Sequence, residues 1–335
     1  MYEARAPETT PPPPEFPRLL GDIGGTNARF GWQQQAGSPI TRVQVVPCAE
    51  HPSLLAAVQH YLGTQQLAQP ARAAFGIANP VNGDAVRMTN HHWTFSVEAL
   101  RAGLGLSRLL LLNDFTALAL SLHSLPAEDL RAVGGGTAAA GAALALIGPG
   151  TGLGVSGLVP AGPQGPWAPV AGEGGHVSVC AMNAQEFAVI EVLRQRHGHV
   201  SAERVVSGTG LPELYQALRQ VQGLPADDSA GAPQIIEAGL REPGSPAEQA
   251  LQLFCRFLGD VAGNLALTLG ARGGVYIGGG IVPRLLDFFA ASDFRRRFEA
   301  KGRFSTYLSQ VPTWVITSKV SPALQGAANA LDNLR

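Results

Sequence analysis

A strand that runs into a glycine-rich tip and returns at once occurs twice in this chain, and that recurrence constrains the fold more than any other feature. The first copy begins at Arg18-Leu19-Leu20, passes Gly21-Asp22-Ile23-Gly24-Gly25-Thr26-Asn27 and leaves through Ala28-Arg29-Phe30-Gly31-Trp32. The second runs from 143–147 into Gly148-Pro149-Gly150-Thr151-Gly152-Leu153-Gly154 and out through 155–159. This reads as a weak internal duplication. Glycine tolerates positive φ and lets backbone approach a ligand closely, while successive amides can form a nest for phosphate oxygens. One such hairpin alone reads either as a phosphate loop or as an ordinary turn; two in one chain can clamp a triphosphate from both sides, which favours the phosphate reading. Asp22 beside such phosphates points to Mg²⁺, held directly or through water.

The basic residues narrow how phosphates could be held. Of the 24, only Lys301 and Lys319 are lysine. A Walker A loop needs Gly-Lys-Ser/Thr and a protein kinase needs a lysine on an early strand, so both are excluded. Backbone amides, a metal ion and arginine are left for that work. A formal net charge of −1 provides no broad attraction to nucleic acid or to an anionic membrane, so neither is expected as a partner.

No apolar run reaches the roughly 18 residues of a membrane span, and the N-terminus lacks the basic-then-apolar order of a signal peptide. Cys48, Cys180 and Cys255 form no C-x-x-C pair, which fits a reducing compartment and a cytoplasmic protein. The 41 glycines in 335 residues, about 12% against a usual 7% or so, mark many special backbone positions in a globular chain.

Residues 1–17 hold six prolines and no periodic apolar pattern, so they read as a flexible, polyproline-like extension. Beyond them, strands are expected at 43–46, 73–78, 87–93, 109–112, 275–277 and 314–317. Helices are expected over 53–66, 97–103, 115–125, 185–196, 211–218, 247–269 and from 323 to the end. The stretch 221–246 reads as a proline- and glycine-marked loop. Alternating strands and helices give an α/β sheet, whose ligands lie beyond the carboxyl ends of the strands.

Several residues stand where chemistry could be done. Asn113-Asp114 falls where a strand ends and a helix begins, an address for an active-site acid and equally for a helix N-cap. Glu173-Gly174-Gly175-His176 places an acid and an imidazole on a loop too glycine-rich to be helical, where both can meet a polyhydroxylated ligand. Glu203 is read either as a ligand or as a surface ion pair with Arg204. Ser207-Gly208-Thr209-Gly210 is a helix cap or a nucleotide contact. Gly278-Gly279-Gly280 is a tight strand-to-helix turn or a close approach to an adenine ring or phosphate.

Taken in order, these motifs, together with Met88-Thr89-Asn90-His91-His92-Trp93 and Ser201-Ala202-Glu203-Arg204-Val205-Val206, resemble the bacterial glucokinase family of the enterobacterial type. The resemblance runs from about Leu19 to the C-terminus. It implies the two-domain, actin-like ATPase (ribonuclease H-like) α/β fold. A small domain of 18–124 plus 318–335 and a large domain of 125–317 would close on a cleft. It also implies ATP-dependent phosphorylation of glucose at its 6-hydroxyl, and a homodimer. Asp114 then matches the catalytic base, with Asn113, Asp114, Glu173, His176 and Glu203 on the sugar. Gly21, Asp22, Ile23, Gly24, Gly25, Thr26 and Asn27, with Gly150, Thr151, Gly152, Ser207, Gly208 and Gly279, would contact ATP, and Asp22 would hold Mg²⁺ through water. The chain departs from the family where Asn79-Pro80 replaces a frequent Cys-Pro. A kinase for another hexose or an N-acetylated amino sugar is the competing reading, and a sugar-sensing regulator on the same fold is a more remote one.

Overall fold

The computed structural model describes residues 1–5, 14–89, 91–162 and 165–333. The chain divides into two compact units. The first comprises Met1–Leu125, Gln164–Ala171 and Ser318–Arg335, the second Pro126–Pro163 and Gly172–Thr317.

The first unit opens with β1 (Tyr2–Arg5), β2 (Arg18–Ile23), β3 (Asn27–Gln33) and β4 (Thr41–Pro47). It continues through α1 (Leu54–Thr64), β5 (Arg72–Ile77), β6 (Ala85–Arg87), β7 (Thr94–Ser96), α2 (Val97–Gly103), β8 (Arg108–Asn113) and α3 (Asp114–Ser121). Its main sheet has the order β1-β8-β5-β2-β3-β4, with β8, β5 and β2 parallel and the flanking strands antiparallel. The parallel strands are apolar on both faces, as Leu109, Leu110, Leu111 and Leu112 show by complete burial. Ser53 and Ser96 cap α1 and α2 by accepting the amides of Ala56 and Ala99.

Two sequence expectations fail in this unit. Tyr2–Arg5 is not a flexible extension: it pairs antiparallel with β8, Tyr2 opposite Leu111, and closes an edge of the sheet. Glu3 accepts from Arg108 at 2.6 Å and Ala4 is buried. Four residues are too few for their alternation to stand out, and the proline run that suggested disorder lies mostly in 6–13, outside the described residues. In place of the strand expected over 87–93, β6 and β7 form a hairpin, and the Met88 amide donates to the Trp93 carbonyl at 3.0 Å between them. Buried Met88 and Trp93 supply the apolar pattern that suggested a strand.

The second unit begins with β9 (Leu130–Ala132), β10 (Leu144–Pro149) and β11 (Leu153–Pro160), after which β12 (Trp167–Ala171) belongs to the first unit. It resumes with α4 (Ala184–His197), α5 (Gly210–Val221), α6 (Ala232–Arg241), α7 (Pro246–Leu269), β13 (Gly274–Ile277), α8 (Leu286–Ala291), α9 (Phe294–Glu299), α10 (Ser305–Ser309) and β14 (Thr313–Ile316). The first unit is completed by α11 (Pro322–Asp332).

Within the second unit the strands follow the order β11-β10-β13-β14-β9, with β10, β13 and β14 parallel and the outer two antiparallel. That repeats β3-β2-β5-β8-β1 strand for strand, so the duplication legible at two glycine tips extends through the topology of both sheets. The loop expected over 221–246 contains α6, whose Ile235 and Ile236 are buried and whose Gly239 leaves room for Leu251 and the Ala247 backbone of α7. Its proline stands in the first turn, where it fits a helix rather than breaking one.

Candidate active site

In the first unit the glycine tip is narrower than its sequence suggests. Gly21, Asp22 and Ile23 lie inside β2, between β3 and β5. Gly21 is a packing glycine, since a Cβ there would stand 2.6 Å from the Phe75 ring. The turn itself is Gly24, Gly25 and Thr26. The Gly24 amide donates to the Asn27 carbonyl at 2.9 Å, whereas those of Gly25 and Thr26 have no acceptor among the described residues. Neither Gly21 nor Gly24 has positive φ, so close approach rather than turn geometry accounts for them. Asp22 pairs with Arg29 across the hairpin at 3.0 Å through Oδ2.

At the carboxyl end of β8, Asn113 rather than Asp114 is the N-cap of α3. Its Oδ1 accepts the amides of Phe115 and Thr116 at 3.0 and 3.2 Å, and its Nδ2 donates to Asp114 Oδ1 at 2.9 Å. Asp114 Oδ1 also accepts the Phe115 amide at 2.9 Å. Oδ2 receives none of these bonds. Burial pushes the Asp114 carboxyl up to about 6, the Phe115 hydrogen bond opposes that rise, and the negative charge of Asp22 adds to it. Gly76 admits this corner, because a Cβ there would stand 2.9 Å from that of Ala117 and 3.5 Å from the Asp114 Cα.

In the second unit the tip 150–152 is pinned from three directions. The Gly208 amide donates to the Gly150 carbonyl at 2.7 Å, and the Thr209 amide and hydroxyl both reach the Thr151 carbonyl, at 3.2 and 3.1 Å. The Ile281 amide reaches the Pro149 carbonyl at 3.3 Å. Gly279 has φ 77°, and any side chain on it would collide with that same carbonyl, so only glycine fits. Glu203 Oε2 accepts the Leu153 amide at 2.8 Å. This replaces the ion pair with Arg204 that the sequence left open. The Glu203 amide in turn donates to Gly175 at 2.9 Å, which ties it to the short 3-10 turn Gly174–His176. Glu173, His176, Glu203, Gly150, Thr151, Gly152, Gly208 and Gly279 thus form one connected cluster, with Glu173, His176 and Thr151 exposed.

Ser207 is the exception. It is fully buried, and its hydroxyl donates to the Glu203 carbonyl at 2.7 Å and accepts the Gly210 amide at 2.8 Å. Its hydroxyl is thereby engaged inside the protein at the start of α5, also within 3.1 Å of the Thr209 hydroxyl. Sequence reasoning missed the Leu153 amide, because a backbone donor leaves no motif, and it placed Thr209 in a cap or nucleotide contact without foreseeing its hold on the Thr151 carbonyl.

Two sheets of matching topology, each with a glycine hairpin, and a half-buried acid at a strand end define a two-domain kinase of the actin-like ATPase fold. The glucokinase family model matches residues 19–334. The glucokinase of Aromatoleum aromaticum is 58% identical over 95% of this chain and 95% of its own, and that of Chromobacterium violaceum 53% identical over 96% and 91%. A crystal structure of a glucokinase from an Antarctic psychrotroph superposes with a TM-score of 0.86 at 36% identity, covering 95% of this chain and 99% of its own. The chain belongs to the glucokinase family, and is a phosphotransferase that acts on glucose with ATP.

Proposed function

We propose that the chain transfers the γ-phosphoryl group of ATP to the 6-hydroxyl of D-glucose, with Asp114 as the base. The observation that carries this is the Asp114 carboxyl itself, half-buried at a strand end, tied down through Oδ1 with Oδ2 free, and raised to about 6. A base of that strength is largely ionised at neutral pH and still able to take a proton. As the sugar oxygen attacks phosphorus, its proton passes to Asp114 Oδ2, while Asn113 keeps the carboxylate oriented. A loose phosphoryl-transfer transition state asks mainly for positioning and charge stabilisation. Glu203 Oε1, Glu173 and His176 are assigned to the sugar hydroxyls.

The phosphates are assigned to the free amides of Gly25 and Thr26 and to Thr151. The amides of Gly24, Gly150 and Gly208 already serve the protein, which makes the backbone clamp smaller than the glycine count suggests. Among the described residues no cluster of three metal-ligating side chains occurs, so a protein-built cage for Mg²⁺ does not fit. A single carboxylate completed by substrate phosphates does fit, and Asp22, with Oδ1 outside its pair with Arg29, is that carboxylate. Mg²⁺ would there neutralise phosphate charge.

Replacing Asp114 by Asn and following ADP release with glucose, mannose, fructose and N-acetylglucosamine tests both base and substrate. Wild-type turnover in the variant would remove Asp114 as base, and preference for another sugar would replace glucose. The reading extends to a cytoplasmic homodimer. Support for the first is that no helix among the described residues is long and apolar enough to cross a membrane and that the three cysteines are free. Support for the second is the family resemblance, and a monomer mass by light scattering at every concentration would remove it.

A further inference from the structure

We propose that Asn79 is a positioning residue for the sugar, acting through the hydroxyl of Thr89. Asn79 lies two residues beyond β5, whose last residue, Ile77, stands opposite Asn113 in the sheet. It is therefore at the same strand-end level as Asp114. Its Oδ1 accepts both the amide and the hydroxyl of Thr89, at 3.0 and 2.6 Å. Its Nδ2 donates to the Pro80 carbonyl at 3.0 Å, which fixes which end of the amide faces Thr89.

The consequence lies in the hydroxyl. Thr89 spends its only O–H on Asn79, so toward a ligand its Oγ1 can act as acceptor alone. Thr89 lines a cavity of about 720 Å³ together with Arg87, Met88, His91, His92 and Thr94. The loop that carries it is closed at its base by Met88 and Trp93, both buried, and Trp93 is anchored by its Nε1 on the His51 carbonyl at 3.0 Å. Between those anchors and the Asn79 clasp, Thr89 presents a fixed acceptor to a sugar hydroxyl. The chemistry at Asp114 is not touched by this pair, so its effect falls on sugar affinity.

The inference rests on the proposal that the sugar binds beyond β5 and β8, and its test reads binding rather than turnover. Glucose affinity is measured calorimetrically without nucleotide for Asn79→Ala, Asn79→Asp, Thr89→Val and the Asn79→Ala/Thr89→Val double variant, alongside steady-state kinetics. Asn79→Ala and Thr89→Val are each expected to weaken glucose binding and raise its KM by about five- to tenfold, the worth of one hydrogen bond. Their kcat and KM for ATP should stay within about twofold. Asn79→Asp retains both accepting interactions and should bind as wild type, and the double variant should be no worse than Thr89→Val. Wild-type affinity in Thr89→Val, whose side chain is exposed and whose folding is not at risk, overturns the inference. So do fully additive losses in the double variant, or an equal rise in the KM for ATP. Loss of the base assignment would leave the calorimetric result standing, which separates the two failures.

Discussion

Glu203 Oε2 accepts the Leu153 amide at 2.8 Å, and it does so across Gly152, where a methyl group would collide with that same oxygen. A carboxylate on one loop is thereby set against the phosphate-type tip of another, with glycine as the spacer.

Gly152→Ala should separate position from stability. The colliding atom is the end of a flexible side chain, so Glu203 can swing aside at a cost below about 1 kcal/mol. Its hold on the Leu153 amide would be lost, however. Expected are a melting temperature within a few degrees of wild type and a KM for glucose raised about tenfold. Gly279→Ala should do the reverse. Its φ of 77° and the rigid Pro149 carbonyl leave no escape, so thermal unfolding should show about 1–3 kcal/mol of lost stability. Equal melting temperatures for the two variants would contradict this account.

Asp114 gives a pH dependence with a definite sign. Because burial holds its carboxyl at about 6, activity limited by the ionised base should fall as pH drops through about 6. Asp22→Asn removes the neighbouring negative charge and should move that acid limb of kcat to lower pH. For stability, the folded pKa lies above the unfolded value of about 3.9. The group's favourable contribution is complete below that value and is lost as pH rises through about 6. Asp114→Asn should therefore raise stability at pH 8 by about 1–3 kcal/mol and by little at pH 4, while abolishing most turnover. A variant less stable than wild type at pH 8 would contradict the burial argument.

Much of this was legible from residues alone, and what was not follows a pattern. Asn113-Asp114 at a strand-to-helix junction, the two hairpins and Glu173 to His176 were visible because their chemistry depends on local order. The internal use of the Gly24, Gly150 and Gly208 amides was invisible, because partners such as Gly208 for Gly150 lie far along the chain. Gly21 looked like part of a phosphate loop, yet it answers to Phe75 on a neighbouring strand. Glycine marks close approach without saying whether a ligand or the protein itself approaches. The helix α6 was hidden by Pro233 and Gly239, residues read as loop signals that here serve a helix start and a helix crossing.

In the second unit a buried guanidinium joins two acids. Arg297 donates to both oxygens of Glu186, at 2.5 and 3.2 Å, and to both of Asp260, and all three side chains are at least nine-tenths buried. Burial pushes the Glu186 carboxyl up, but Arg297, the Met182 amide and Asn183 outweigh it and hold it below its usual range. Arg297→Met would leave the buried Glu186 carboxylate without a cation and Asp260 with Lys301 alone, at 3.6 Å, at a cost of about 3–5 kcal/mol at pH 7. The deficit should shrink near pH 4–5, where the stranded acids can take up protons. Thermal melts at both pH values measure it, and a deficit independent of pH would mean that lost packing, not uncompensated charge, is responsible.

The N-terminal strand supports a last prediction. Without β1, the outer edge of β8 would expose a row of unpaired amides and carbonyls flanked by buried leucines, an arrangement that invites pairing with another chain. Glu3 adds its bond to Arg108, and Glu15, nearer β2, bonds Arg72 at 3.3 Å, so the segment is held by charge as well as by the sheet. Burial alone would raise the Glu3 carboxyl, but Arg5 and Arg108 hold it below its ordinary value. Its contribution is therefore present above the unfolded pKa and lost as pH falls through the lower folded one. Removing residues 1–5 should lower the melting temperature by several degrees at pH 7 and promote self-association at high concentration. Freshly diluted protein should keep wild-type kcat and KM, since none of the five residues belongs to the proposed site. A truncated chain that melts and elutes as wild type would show that β8 needs no partner on that edge.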